Sequence, residues 1–140
     1  MKILLAADGS KYTKKALGYL MTHESMCGPD DELVVLHVQP PVPARVKTMV
    51  GAQQVRDYYR DESQKVLEPI ARFLARHKIR FKPLWRVGHP ADEILAALTD
   101  EKAHMLVMGT HGRSIVGRAI MGSVAQSVLS SVKVPVLLVK

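Results

Sequence analysis

With one cysteine, Cys27, the chain can form no intrachain disulfide and no cysteine cluster for zinc. No apolar run approaches the roughly 20 residues that a membrane-spanning helix needs. The opening stretch, residues 1–8, reaches a charge too soon for a secretory signal. These absences point to a cytoplasmic protein with no membrane partner. Internal repeats and low-complexity segments are also missing. Two of the stretches that lack acidic residues bear on function. The first lies between Glu68 and Asp92 and holds Arg72, Arg76, Lys78, Arg80, Lys82 and Arg86. With a net charge of +7, such a run raises the question of nucleic acid. Its aromatics, Phe81 and Trp85, alternate onto the opposite face from the basic residues, so an ordinary solvated strand face explains the run better. Nucleic acid is therefore not expected as a partner. The second acid-free stretch runs from His104 to the C-terminus and contains the most informative loop in the chain.

What is present is ordinary for a globular domain: 140 residues, 47% hydrophobic and 24% charged. The whole chain, residues 1–140, is read as one domain. Residues 2–7 form a continuous apolar run, as expected of a parallel strand buried on both faces. Asp8-Gly9-Ser10 ends it, and Ser10 suits the N-cap of a helix carrying Ala16, Leu17, Leu20 and Met21 on one side. Gly28-Pro29-Asp30-Asp31 turns the chain into a second strand, residues 32–38, in which His37 is read as structural. Pro40, Pro41 and Pro43 then predict an irregular loop to about Gly51. Val55, Tyr59, Val66, Ile70, Phe73 and Leu74 recur at helical spacing to about His77, with Pro69 predicting a kink or break. Tyr58 and Tyr59 read as packing residues. Alternation from Ile79 to Val87 with an internal proline describes an edge strand. Pro90 opens another helix, with Asp92 and Glu93 in its first turn. A strand ending at Met108, a short helix from Ser123 presenting Val124, Val128 and Leu129, and a strand over residues 134–139 complete the order β-α-β-α-β-α-β-α-β. That alternation implies an α/β fold with an open parallel sheet and helices on both faces.

The loop runs from Gly109 through Thr110, His111, Gly112, Arg113, Ser114 and Ile115 to Gly122, Ser123, Val124 and Ala125. Gly109 and Gly112 fall where the chain turns off a strand, and glycine permits close backbone approach there. Ser123 opens the next helix, whose unpaired N–H groups form an anion site. The plainer reading is that the glycines are turn residues and that Ser123 with Gln126 forms a capping box. A P-loop is excluded: Gly112-x4-Gly117-Arg118-Ala119 lacks the required lysine and hydroxyl. Asp8, at the carboxyl end of a strand and before a helix, stands where open α/β sheets bind ligands. Its plainer role is a turn bond to its own backbone.

Two motifs carry a resemblance that extends over essentially the whole chain. Gly109-x2-Gly112-x9-Gly122-Ser123 and the opening strand into Asp8-Gly9-Ser10 together resemble the universal stress protein family of the ATP-binding type. Val87-Gly88-His89-Pro90-Ala91 and the Val-Pro-Val-Leu-Leu-Val ending support it. The resemblance implies a five-stranded sheet of order 3-2-1-4-5 and a homodimer formed through Val136, Leu137, Leu138 and Val139. It also implies ATP as ligand, with Mg²⁺ carried by the phosphates. Asp8 and Ala6 would hold the ribose or adenine side, and Val38 would meet adenine through its backbone. Gly109, Thr110, His111, Gly112, Arg113, Ser114 and Ile115 would wrap the ribose and phosphates. Gly122, Ser123, Val124 and Ala125 would hold the terminal phosphates. Ala6 departs from the proline that many relatives carry.

The expected function is a homodimeric, ATP-dependent stress-response switch that changes a surface read by an unidentified protein partner. The alternatives are a nucleotide-free dimeric interaction module of the same fold and a slow ATPase. No residue is singled out as catalytic or as a metal ligand, because His111 and Asp8 are the only titratable groups near the expected phosphates.

Overall fold

The structure, a computed structural model, describes residues 1–112 and 121–140. Its elements are β1 (Lys2–Ala6), α1 (Lys11–Thr22), β2 (Glu32–Gln39), α2 (Ala44–Val50), α3 (Ala52–Arg76), β3 (Phe81–Val87), α4 (Pro90–Asp100), β4 (Met105–Gly109), α5 (Ser123–Leu129) and β5 (Val136–Val139). The strands form one sheet of order β3-β2-β1-β4-β5, and every pair is parallel. This is the doubly wound α/β fold and the strand order expected.

The apolar run of β1 explains why it is central. Ile3, Leu4 and Leu5 are wholly buried, so the strand needs cover on both faces. Ile3 and Leu5 join Leu17, Leu20, Ile70 and Leu74 in one core beneath α1 and α3. Leu4 joins Leu36, Ile94, Leu98 and Val128 in a second core beneath α4 and α5. Leu5 is in register with Val35 on one side and Val107 on the other. The carboxyl ends of β1 and β4, where the chain leaves the sheet for α1 and toward α5, therefore lie together.

Several local expectations need correction. The segment after β2 is not all loop, because α2 occupies Ala44–Val50. Pro43 precedes it with φ −56°, a value that suits helix entry. Its carbonyl accepts from Val46 and Lys47 N–H, and Gly51 ends the helix at φ +88°. The prolines thus shape the helix start rather than forbid a helix. Tyr59 ties this segment to α3, its hydroxyl accepting from Val42 N–H at 2.9 Å, whereas Tyr58 is exposed and meets the Tyr59 ring at a tilt, with centroids 6.0 Å apart.

Pro69 does not break α3, which continues from Ala52 to Arg76. Val66, Leu67, Ile70 and Leu74 are buried on either side of the proline and hold both halves to the sheet. The β3 strand begins at Phe81 rather than Ile79, since Lys78 turns through φ +55° just before it. Its basic face is partly neutralised by α4. Lys82 reaches Glu101 at 3.0 Å, while Arg86 reaches Asp100 at 2.6 Å and Glu93 at 3.4 Å. Leu129 is exposed at the end of α5 rather than turned inward. No helix among the described residues is long and apolar enough to cross a membrane.

Candidate functional site

The β1–α1 and β4–α5 connections meet over the carboxyl ends of β1 and β4. Asp8 leaves β1, and Gly9 turns the chain into α1 at φ +78°, a conformation costly for other residues. Asp8 is held in place by its own neighbours. Its Oδ1 accepts from Ser10 N–H at 2.9 Å and from the Thr13 hydroxyl at 3.0 Å. Asp8 N–H donates back to Thr13 Oγ1 at 3.1 Å. The plainer reading of Asp8, a turn bond to its own backbone, is therefore realised, and its other oxygen faces the glycine loop. A Cβ placed on Gly112 would stand 2.7 Å from Asp8 Oδ2.

Three glycines converge here, each for a different reason. Gly109 makes room for α1, because a Cβ there would lie 2.5 Å from Tyr12 Cβ and 3.0 Å from the His111 carbonyl oxygen. Gly112 makes room for the Asp8 carboxylate. Gly122 lies under the loop backbone, its N–H donating to Thr110 O at 2.6 Å, and a Cβ would meet that oxygen at 3.2 Å. The Gly109 constraint is thus a packing matter, whereas those at Gly112 and Gly122 fold the loop against Asp8 and α5.

Ser10 and Ser123 do not cap as the sequence suggests. Ser10 is at the N-cap of α1, yet its hydroxyl makes no cap bond and is buried without a hydrogen-bond partner among the described residues. The N-cap of α5 is Gly122, so Ser123 is its first helical residue and forms no capping box with Gln126. Helix geometry leaves the N–H groups of Ser123, Val124 and Ala125 without intrahelical acceptors, and the N-cap, a glycine, brings no side chain to them.

The result is a cleft of about 230 Å³. Ala6, Asp8 and Val38 line one side, and Gly109, Thr110, His111 and Gly112 line another. Gly122, Ser123, Val124 and Ala125 close the third. The structure therefore gathers eleven of the expected site residues around one opening; Arg113, Ser114 and Ile115 lie outside the described residues. Among the described residues nothing plugs the mouth, and Asp8 points at Gly112. His37 stays out of this lining. It is buried, and its Nδ1 is 2.8 Å from the Ala7 carbonyl, so it braces the end of β1 from β2.

Residues not anticipated also line the cleft, chiefly Thr13, Tyr12 and Met108. Thr13 carries a signal that could have been read, being a polar residue within the apolar stripe of α1 that continues through Ala16, Leu17 and Leu20. Tyr12 had none, because its importance depends on Gly109. The Tyr12 ring stacks obliquely on His111 with centroids 5.3 Å apart. Lys11 and Lys15 place their ammonium groups 5.3 and 5.9 Å from its centroid. The opening thus combines an apolar base, one oriented carboxylate, the amides of a helix start and nearby cations. That set can hold a flat apolar group with hydroxyls and an anion at opposite ends of one ligand.

The universal stress protein family model matches residues 1–140. A universal stress protein from Thermus aquaticus is 33% identical over 139 residues, covering 99% of this chain and 97% of the relative. The structure of MJ0577 from Methanocaldococcus jannaschii superposes with a TM-score of 0.85 at 26% identity, covering 99% and 94% of the two chains. A universal stress protein from Archaeoglobus fulgidus, solved in complex with dAMP, superposes at 0.71 with 20% identity and coverage of 100% and 98%. With the sheet order, the glycine loop and the whole-chain match in agreement, this chain belongs to the universal stress protein family.

Proposed function

We propose that this chain binds an adenine nucleotide, ATP with Mg²⁺ carried on its phosphates, in the cleft between the β1–α1 and β4–α5 connections. Adenine would lie against Ala6 and Val38, the ribose beside Asp8 and Gly109, and the phosphates along Thr110 to Ile115. The terminal phosphates would accept from the Ser123, Val124 and Ala125 amides, with Gly122 letting the backbone come close. The observation that carries this reading is the convergence of Asp8, Gly112 and Gly122 on one opening. A related fold holding dAMP lends support. The biological role would be that of a nucleotide-dependent stress-response switch in the cytoplasm. It would act as a homodimer through Val136, Leu137, Leu138 and Val139, with bound nucleotide altering a surface read by a protein partner. Among the described residues β5 pairs only with β4, leaving the apolar outer edge that such a dimer would cover.

Ligand present at about 100 times its dissociation constant would add roughly 2.7 kcal/mol of stability. Mg-ATP should therefore raise the melting temperature by several degrees. Ser123→Asp should remove that rise without unfolding the protein, since an acid in the first turn favours the helix and repels phosphate. Absence of any rise with the parent chain would refute the reading. A second reading, an interaction module that binds no nucleotide, draws on Gly109, whose nearest obstacle is the Tyr12 side chain, a packing neighbour. Mass analysis of small molecules released from freshly purified protein separates the two.

A further inference from the structure

Away from the cleft, α1 and α3 lie over the same face of the sheet and leave a trough of about 530 Å³ between them, more than twice the cleft's volume. Leu17, Val66 and Ile70 form its bed and Phe73 one end. The first three are buried members of the core and Phe73 packs partly against it. Lys14, Lys65 and Arg76 border it, and no acidic residue does among the described residues. Lys65 is held by Glu62 at 2.8 Å, whereas Lys14 and Arg76 have no ion-pair partner among the described residues. The same trough thus offers an apolar bed and cations of a single sign, two of them uncompensated.

We propose that this trough binds a free amphipathic anion, a single alkyl or alkyl-aromatic chain ending in a carboxylate or another anionic head. The chain lies over the buried Leu17, Val66 and Ile70 and against the half-buried Phe73, so the apolar surface taken out of water is chiefly that of Phe73 and of the ligand itself. The head takes Lys14 or Arg76, whose charges are attractive over a distance set by the ionic strength. A cationic or uncharged amphiphile finds the same bed without that attraction, so charge sets the selectivity. The proposal does not depend on the nucleotide reading, because the bed and rim lie outside the glycine loop. The two sites share one residue: Thr13 borders both.

The test is a titration of the full chain with decanoate, followed through backbone amide signals by NMR. Binding should move the signals of Leu17, Val66, Ile70 and Phe73 in a saturable way. Joint reversal of the rim, Lys14→Glu with Arg76→Glu, should weaken decanoate by about tenfold with the melting temperature nearly unchanged, because both side chains are exposed. Decyltrimethylammonium should move these signals only at concentrations about tenfold higher or more. Signals that do not respond to decanoate would overturn the proposal, as would a rim reversal that changes affinity by less than about twofold. Binding to phosphatidylglycerol vesicles without any response to free decanoate would likewise count against it, assigning the basic rim to a membrane surface instead.

Discussion

The Cβ of Tyr12 stands 2.5 Å from the point where a side chain at Gly109 would begin. The end of β4 and the first turn of α1 are therefore in contact through backbone and first carbon alone. Gly109→Ala should destabilise the fold by about 2 kcal/mol or more, in the range of overpacked core sites. Tyr12→Ala should fail to rescue it, because the obstructing atom remains in alanine; only Tyr12→Gly removes it. Urea midpoints of the two double variants make the comparison, and recovery with alanine would show that the ring is the obstacle.

Thr13 and Asp8 bind each other twice, through hydroxyl to carboxylate and amide to hydroxyl. Thr13→Val keeps the shape and removes both bonds. A loss of about 1–3 kcal/mol is expected, since Asp8 N–H is left without its acceptor. The ATP-induced rise in melting temperature should also shrink, because the carboxylate loses one of its two restraints. Thr13→Ser should retain most of both properties. An unchanged nucleotide response in the valine variant would show that Asp8 needs no help from α1.

Ser63 is wholly buried in α3 and its hydroxyl has no hydrogen-bond partner among the described residues. Alanine removes an unsatisfied polar group and is the better helix former. Ser63→Ala should therefore stabilise the protein by about 1 kcal/mol, raising the melting temperature by roughly 2–5 °C for a chain of this length. Calorimetry decides the matter, and a fall in the transition would mean that the hydroxyl has a partner in solution.

Asp31 accepts from the amino group of Met1 at 2.8 Å and from Gly28 N–H at 2.8 Å. The ammonium first and the amide second hold its carboxyl below its ordinary value of 3.8. A carboxylate depressed in the folded state stabilises the fold above its unfolded value and loses that contribution as pH falls through the folded one. Asp31→Asn should thus lower the urea midpoint at pH 6, and the difference from the parent should close progressively below about pH 4. A gap that stays constant to pH 2.5 would assign the effect to packing instead.

Much of this molecule could be read from residue order, for reasons that differ by element. The apolar runs of β1, β2 and β4 report burial on both faces, and alternation with helices leaves few ways to connect parallel strands. The meeting of Asp8 with Gly112 follows from that topology, since both lie just beyond neighbouring strand ends. Contacts between distant side chains were beyond reach. Nothing near Gly109 announces Tyr12, 97 residues earlier in the chain. The missing cap bonds at Ser10 and Ser123 arise from how each connection approaches its helix, which residue type does not specify. In α2 the prolines were informative about φ, but the same fixed angle that opens a helix also suits a loop.

The placement of β1 has a consequence for how the chain acquires its form. It precedes β2 in the chain, and β2 can join it within the next 40 residues. Its other edge must wait for Met105, which pairs with Ile3. During that interval this apolar strand has one open side, and closing the sheet requires a contact spanning most of the polypeptide. Refolding should accordingly be slow for a protein of this size, with the nascent form vulnerable to self-association until β4 arrives.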